Sequence, residues 1–178
     1  MIMKIKVKEI IPGCFPTELK KGEWFDLKSA VNTTLLGPKA NTLKRIRKKD
    51  EEEINYRNVE FQSALISLGI AMQLPEGYEA IICPRSSTYC TYGVIMSNHM
   101  GVIDNSYCGD GDIWKMPVIA FKSTTIPKGA RICQFRIQLS QKATMWQKIK
   151  WLFTRKIKFI PVNKLNSINR EGFGSTGK

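Results

Sequence analysis

The chain has 178 residues, a net charge of +13, five cysteines and a single histidine, His99. That length suits one domain with a real core, and no apolar run approaches the ~20 residues that span a bilayer. The odd cysteine count without a CxxC argues against a disulfide framework and a cysteine zinc site and points to a reducing cytoplasm. One histidine excludes a His-pair metal site and leaves a Ser-His-Asp triad without support, so proton transfer falls to a carboxylate.

Strand signals dominate from the start. Met3, Ile5 and Val7 alternate with Lys4, Lys6 and Lys8, the period of a half-buried strand rather than an export signal. Residues 1–50 hold 12 basic and 5 acidic side chains, residues 51–138 hold 7 and 9, and residues 139–178 hold 9 and 1. The positive charge thus sits on the two ends. A generic nucleic-acid binder and an enzyme for a polyanionic nucleotide both fit that distribution. Residues 39–58 carry a basic run followed by Asp50–Glu53. If helical, this stretch pairs Arg47 with Glu51 and Lys48 with Glu52. It reads as a solvated insertion without chemistry.

Ala80–Cys83 and Val118–Phe121 read as buried strands. Pro75-Glu76-Gly77 and Pro127-Lys128-Gly129 each suit a β-turn with proline at its second position. Cys133, Phe135, Ile137 and Leu139 alternate with Ile132, Gln134, Arg136 and Gln138. Many short strands with regular turns suggest a sandwich, jelly roll or barrel. Residues 142–160 place Met145, Ile149, Leu152 and Phe153 on one helical face, with lysines elsewhere. A membrane-surface helix is one reading. A helix packed on its own domain or on a neighbouring subunit has more weight, with a structural or lid role and no nucleic-acid binding.

Four polar strings carry the chemistry. Pro84-Arg85-Ser86-Ser87 follows a buried strand and offers a compact set of donors for phosphate oxygens. Asn98 to Asp110 contains Gly101-Val102-Ile103-Asp104, whose apolar pair presents Asp104 at a strand end or hairpin, and Tyr107 beside it offers a ring for a sugar. A turn aspartate capping its own backbone is the plainer reading of Asp104 alone. In Arg131-Ile132-Cys133-Gln134-Phe135 the alternation turns the Gln134 amide away from the core. The tail, Arg170-Glu171-Gly172-Phe173-Gly174-Ser175-Thr176-Gly177, combines glycines able to turn N–H groups toward an anion with hydroxyls, a guanidinium and an apolar plate. A frayed terminus fits the tail equally well.

In order and spacing these strings resemble the ordered motifs of the trimeric dUTPase family. The second motif resembles Pro84–Ser87, the third Gly101–Gly109, the fourth Arg131–Gln134 and the fifth Gly172–Gly177. Leu68–Met72 and Leu74–Tyr78 resemble the family's lead-in to its second motif. The resemblance covers residues 24–34 and 59–178, with insertions at about 35–58 and 140–158. The first motif departs from its usual small-Gly-X-Asp-Leu pattern: here it is Glu23-Trp24-Phe25-Asp26-Leu27, matching only at the Asp-Leu pair. Cys108 stands where the family has Arg, and Asp110 where it often has Glu.

The resemblance implies an all-β jelly roll, or β-clip, with one or two short helical insertions. Residues 1–168 would form the domain and residues 169–178 a mobile phosphate-binding tail. It implies hydrolysis of dUTP to dUMP and pyrophosphate, with Asp104 as the base for a water attacking the α-phosphorus and Mg²⁺ on the phosphates, held by Asp26 through water. Arg85, Ser86, Ser87 and Gln134 would bind phosphates, with Ser86 and Gln134 assisting catalysis. Asn98, Gly101 and Ile103 would line the uracil pocket, and Tyr107 would exclude ribose. Arg170, Phe173, Gly174, Ser175 and Thr176 would close over the nucleotide. The implied partner is a second copy, in a homotrimer with shared active sites. The free arm 163–178, able to span roughly 50 Å if extended, would reach a neighbour's site. A dCTP deaminase of the same fold shares the Arg-Ser-Ser element but needs a glutamate base, and none lies between residues 98 and 121. A regulatory nucleotide-binding protein of phage type is the other alternative, and an intact Asp104 speaks against an inactive site.

Overall fold

The computed structural model describes residues 1–18, 22–40, 44–46, 54–56, 59–170 and 172. In chain order its strands are β1 (Ile2–Glu9), β2 (Thr17–Glu18), β3 (Phe25–Lys28), β4 (Thr33–Leu35), β5 (Lys39–Ala40), β6 (Lys44–Ile46), β7 (Ile54–Tyr56), β8 (Val59–Glu60), β9 (Ser63–Ser67), β10 (Ile70–Gln73) and β11 (Tyr78–Pro84). After helix α1 (Thr88–Tyr92) come β12 (Val94–Met96), β13 (Gly101–Asp104), β14 (Lys115–Ala120), β15 (Thr124–Ile126) and β16 (Arg131–Leu139). Helix α2 (Met145–Leu152) and β17 (Lys156–Pro161) follow. The domain is all-β, as expected.

Three sheets build the core. The largest runs β13-β11-β16-β3-β2; the others are β10-β1-β17 and β12-β14-β9. Met3, Ile5 and Val7 of β1 are buried while Ile2, Lys4 and Lys6 are exposed, so the period-2 pattern does place one face inward. In β16, Phe135 and Ile137 point inward between Gln134 and Arg136, again as predicted. Ile132 is buried as well as Cys133, because the register shifts between Arg131 and Cys133 and the bulge turns two successive side chains inward. Phe135 lies 5.2 Å from Trp114, 5.4 Å from Phe25 and 5.8 Å from Phe159, ring centre to ring centre. This aromatic cluster ties the five-stranded sheet to β17. β1 takes β10 antiparallel on one side and β17 parallel on the other.

Both predicted proline turns form, one residue out of place. The Tyr78 N–H donates to Pro75 O at 3.2 Å, and Ala130 N–H to Pro127 O at 3.1 Å. Proline therefore stands at the first turn position, not the second. The third position goes to Gly77 (φ 81°) and Gly129 (φ 85°), whose left-handed backbone suits a type II turn.

The first insertion, where described, is a β-ribbon and not a helix: β5 pairs with β8 and β6 with β7. The Arg47–Glu51 and Lys48–Glu52 pairs lie outside the described residues. The second insertion is helical. Thr144 and Gln147 form a reciprocal capping box at the start of α2. On its own domain the helix seats a face other than the apolar one. Gln147 reaches Glu76 O at 3.0 Å, and Trp151 packs on Tyr78 at 5.6 Å. Met145, Trp146, Leu152 and Phe153 face outward, 67–80% exposed. Among the described residues no helix is long and apolar enough to cross a membrane.

Candidate active site

The five-stranded sheet carries the predicted site residues, but at two ends. At one end β11 runs into Arg85, and β16 brings Gln134 opposite both Cys83 and Asp26. Asp26 is fully buried. Its Oδ2 accepts from Arg131 Nη1 at 3.1 Å. Its Oδ1 lies 3.0 Å from Arg85 Nε, an ion pair whose N–H is not aimed at that oxygen. Ser86 and Ser87 are exposed just beyond, where the chain turns into α1. Thr88, buried, anchors this corner by donating to Ile132 O at 2.6 Å. The corner is therefore a held group of donors: two guanidiniums fixed by one buried carboxylate, with hydroxyls and the half-buried Gln134 beside them.

Asp26 does not fit direct ligation of a cation. Its carboxylate has no exposed surface and already faces two guanidiniums, which compensate its charge and fill its surroundings. Among the described residues no cluster of three or more His, Cys, Asp or Glu is placed to hold a metal. Asp26 instead fixes Arg85 and Arg131.

At the other end stands Asp104. β13 runs antiparallel to β11, with Gly101 opposite Ile82 and Asp104 opposite Glu79. From Glu79 to Cys83, where Gln134 pairs, is roughly 13 Å along the strand. Gly101 packs closely because a Cβ there would sit 3.3 Å from Met96 Cε and 3.4 Å from Ile82 Cβ. Asn98 lies in the exposed turn before β13, on the Arg85 side, and Ile103 is half-buried in β13. β12 and β13 belong to different sheets, so this turn is a crossing between sheets, and Asp104 stands at a strand end, the first of the two placements expected.

Asp104 is well supplied with donors. Its Oδ1 accepts from the Ser106 N–H at 2.9 Å and from the Ser106 hydroxyl, and its Oδ2 from Arg170 Nη1. Burial pushes the carboxyl pKa up, but the Ser106 donors and Arg170 outweigh it and hold the group below the ordinary aspartate value. Tyr107 is buried, and its hydroxyl donates to Ile113 O at 3.0 Å, which fixes the ring as a rigid plate. Burial and the nearby Asp112 raise its pKa.

The predicted free arm is not free up to Arg170. Val162 N–H donates to Val7 O, Leu165 is buried with its N–H on Asp110 Oδ1 at 3.0 Å, and Ser167 accepts from Gln73 at 3.0 Å. Arg170 then meets Asp104 of its own chain. Phe173, Gly174, Ser175 and Thr176 lie outside the described residues. Reading from sequence missed Ser106, Asp112, Arg131 and Asn169 as members of these groups. Ser106, inside the third motif, and Arg131, inside the fourth, carried a signal.

A family profile described as dUTPase matches residues 53–177. The SPbeta prophage-derived deoxyuridine 5'-triphosphate nucleotidohydrolase YosS of Bacillus subtilis (strain 168) is 41% identical over 160 residues, covering 90% of this chain and 87% of that protein. Among solved structures, the Staphylococcus bacteriophage 80alpha dUTPase, in a mutant form with dUpNHpp, is similar with a TM-score of 0.57 and 17% identity. The match covers 79% of this chain and 93% of that one. A mutant of the dUTPase from phage phi11 of S. aureus, whose structure concerns coordination of a structural Mg(II) ion, matches with a TM-score of 0.57 and 15% identity over 79% of this chain and 94% of that one.

Proposed function

The chain belongs to the dUTPase family, and from that premise we propose that it cleaves dUTP to dUMP and pyrophosphate through a site shared between copies of itself. Hydrolysis of dUTP follows from the family; the division of labour among residues is the proposal. The observation that carries it is the pairing of Asp104 with Tyr107 and Arg170 at one end of a sheet whose phosphate donors stand at the other.

Asp104 orients and deprotonates the water that attacks the α-phosphorus. Tyr107, held flat by its bond to Ile113 O, packs under the sugar and leaves no room for a 2′-hydroxyl. Arg85, Ser86, Ser87 and Gln134 bind the phosphates and spread the charge that develops on them, which is most of what phosphoryl transfer requires of a protein. Asn98, Gly101 and Ile103 line the uracil pocket. Arg170 moves from Asp104 to the incoming phosphates, which frees the carboxylate to take a proton. Mg²⁺, when bound, would neutralise charge on the phosphates that Arg85, Ser86, Ser87 and Gln134 hold, with water among the hard ligands it prefers.

Two half-sites roughly 13 Å apart along one strand cannot act on the same phosphorus. A neighbouring copy that sets its Asp104 end against this chain's Arg85 end makes a complete site, and a homotrimer closes such a head-to-tail arrangement. The five unpaired thiols suit a reducing cytoplasm.

The test is pyrophosphate release from a panel of nucleoside triphosphates with and without EDTA. dUTP should be turned over, with dTTP and UTP strongly disfavoured and EDTA inhibitory. Equal turnover of UTP and dUTP would remove the sugar-gate role from Tyr107.

A second expectation concerns pH. kcat/KM reports groups of the free enzyme, in which Arg170 holds Asp104 low. Its acid limb should therefore fall below the ordinary aspartate range, with activity lost only as the pH drops through that depressed value. In Arg170→Gln the limb should move to higher pH, because the cation stabilising the ionised carboxylate is gone. An unmoved limb would mean that another group sets it.

A further inference from the structure

We propose that α2 is an interfacial helix: its outward face rests on the surface of an anionic phospholipid bilayer and holds the protein there reversibly. The inference does not depend on the roles given to Asp104, Tyr107 or Arg170. The helix is fixed at its start by the Thr144–Gln147 capping box. At about 3.6 residues per turn, Gln147 and Trp151 fall on one side, the side that meets Glu76 O and the Tyr78 ring. Met145, Ile149 and Leu152 fall on the opposite side, with Trp146 and Phe153 next to them. Four of these five are 67–80% exposed. Lys148 and Lys150 border the stripe, one on each flank, and both are exposed. Such a helix lies in a headgroup layer: rings and aliphatic chains sink to the acyl boundary, and the ammonium groups reach back to the lipid phosphates.

The patch extends beyond the helix. The Met1 ammonium donates to Phe153 O at 2.8 Å, and the Arg155 N–H donates to Met1 O at 2.9 Å. Met1 and Ile2, about half exposed, therefore lie beside the end of α2. Where β1 pairs with β17, Ile2 stands opposite Lys156 and Lys4 opposite Lys158, and all three lysines are exposed. Residues 139–170 carry eight basic side chains and no acidic one. Glu76, in the turn under Gln147, and Glu18 and Glu23, which line the recess beside Trp151, lie on the seated side of the helix.

Charge decides the occupant. A second copy that met α2 through the same face would set lysine against lysine. The outer face of the β12-β14-β9 sheet offers a copy an apolar surface without that repulsion: Leu65 stands opposite Pro117 and Ile95 opposite Ile119, with Leu65 and Ile95 exposed. A nucleic acid would be drawn to the lysines but would lay charged phosphates across the apolar stripe between them. An anionic bilayer satisfies both parts, with phosphates for the flanking lysines and acyl chains for the stripe.

The experiment uses the full-length chain and vesicles of phosphatidylcholine, alone or mixed with phosphatidylglycerol. The protein should sediment with the mixed vesicles, hardly at all with phosphatidylcholine, and less as salt rises. The double variant Lys148→Gln, Lys150→Gln should bind mixed vesicles about thirtyfold more weakly, since each cation near an anionic surface contributes about fivefold. The double variant Trp146→Gln, Leu152→Gln should weaken binding about tenfold or more at unchanged charge, because two apolar side chains no longer leave water. All four positions are exposed and lie outside the nucleotide site, so dUTP hydrolysis in solution should stay at the wild-type level in both variants. Wild type that ignores the mixed vesicles would overturn the proposal. Full binding by Trp146→Gln, Leu152→Gln would overturn insertion and leave only adsorption by charge. A smaller assembly in that variant would give the face to a second copy, and tight binding of duplex DNA that both variants lose would give it to nucleic acid. Either result would overturn the lipid reading.

Discussion

Asp104→Asn should lower kcat for dUTP by about 10²–10⁴-fold, the usual range for a lost general base, while nucleotide binding survives. The substitution keeps the shape of the side chain and removes its charge. It also releases Arg170, which in the resting chain is held on Asp104 Oδ2. A freed guanidinium close to incoming phosphates, and one negative charge fewer beside them, should leave affinity for dUpNHpp equal to wild type or tighter. Steady-state kinetics and equilibrium binding of that analogue read the two effects separately. A kcat near wild type would place the base elsewhere and leave Asp104 as an anchor for Arg170 alone.

Mixing experiments should give a sharply different answer for two pairs of inactive chains. The first pair is Asp104→Asn with the double variant Ser86→Ala, Gln134→Ala. These last two positions are exposed and half-buried, so the Asp26 ion pairs that hold the corner stay intact. If each site takes Asp104 from one copy and the phosphate donors from the next, equal mixing in a closed ring makes about one site in four complete. Activity should return to about a quarter of wild type after joint unfolding and refolding. The second pair is Asp104→Asn with the chain truncated after Ser167. Arg170 lies on the Asp104 of its own chain, so every site with an intact base then lacks the tail, and activity should stay at the level of the parents. The free-arm reading of the sequence gives the opposite result for this pair. Recovery in the second mixture would show that the tail crosses to another copy once substrate is bound. Failure of the first would confine each site to one chain.

How much of this was legible beforehand depended on how local the signal is. The alternation in Met3–Val7 and in Cys133–Leu139 reports burial directly, because a strand's period of two repeats within a few residues. The order of the polar strings was enough for the family. The helix α2 was found, but not the face it seats on its own domain: four outward apolar side chains outweigh Trp151 in a count of periodicity, and the turn at Glu76–Tyr78 shows what the helix rests on. Asp110 and Asp112 stand among glycines in a short polar string. Their partners, Leu165 and Arg170, lie 55 and 58 residues further on, and no spacing rule joins them. Asp26 was matched by pattern and given a metal. The two arginines that face it, at positions 85 and 131, come from strands that a linear reading cannot bring to one corner.

The parallel pairing of β1 with β17 also governs when the chain can finish folding. Met1 and Phe153, joined where these strands begin, are 152 residues apart. Contacts of such separation are slow to form, since a long loop must close before they repay the entropy lost. A nascent chain therefore carries β1 with one flank unpaired until β17 has been made. An open strand edge is a template for other chains. Lys4 and Lys6, exposed between the buried Met3, Ile5 and Val7, place a positive charge on every second residue of that waiting strand. Before β17 arrives they act as gatekeepers, repelling the same strand of a neighbouring nascent chain.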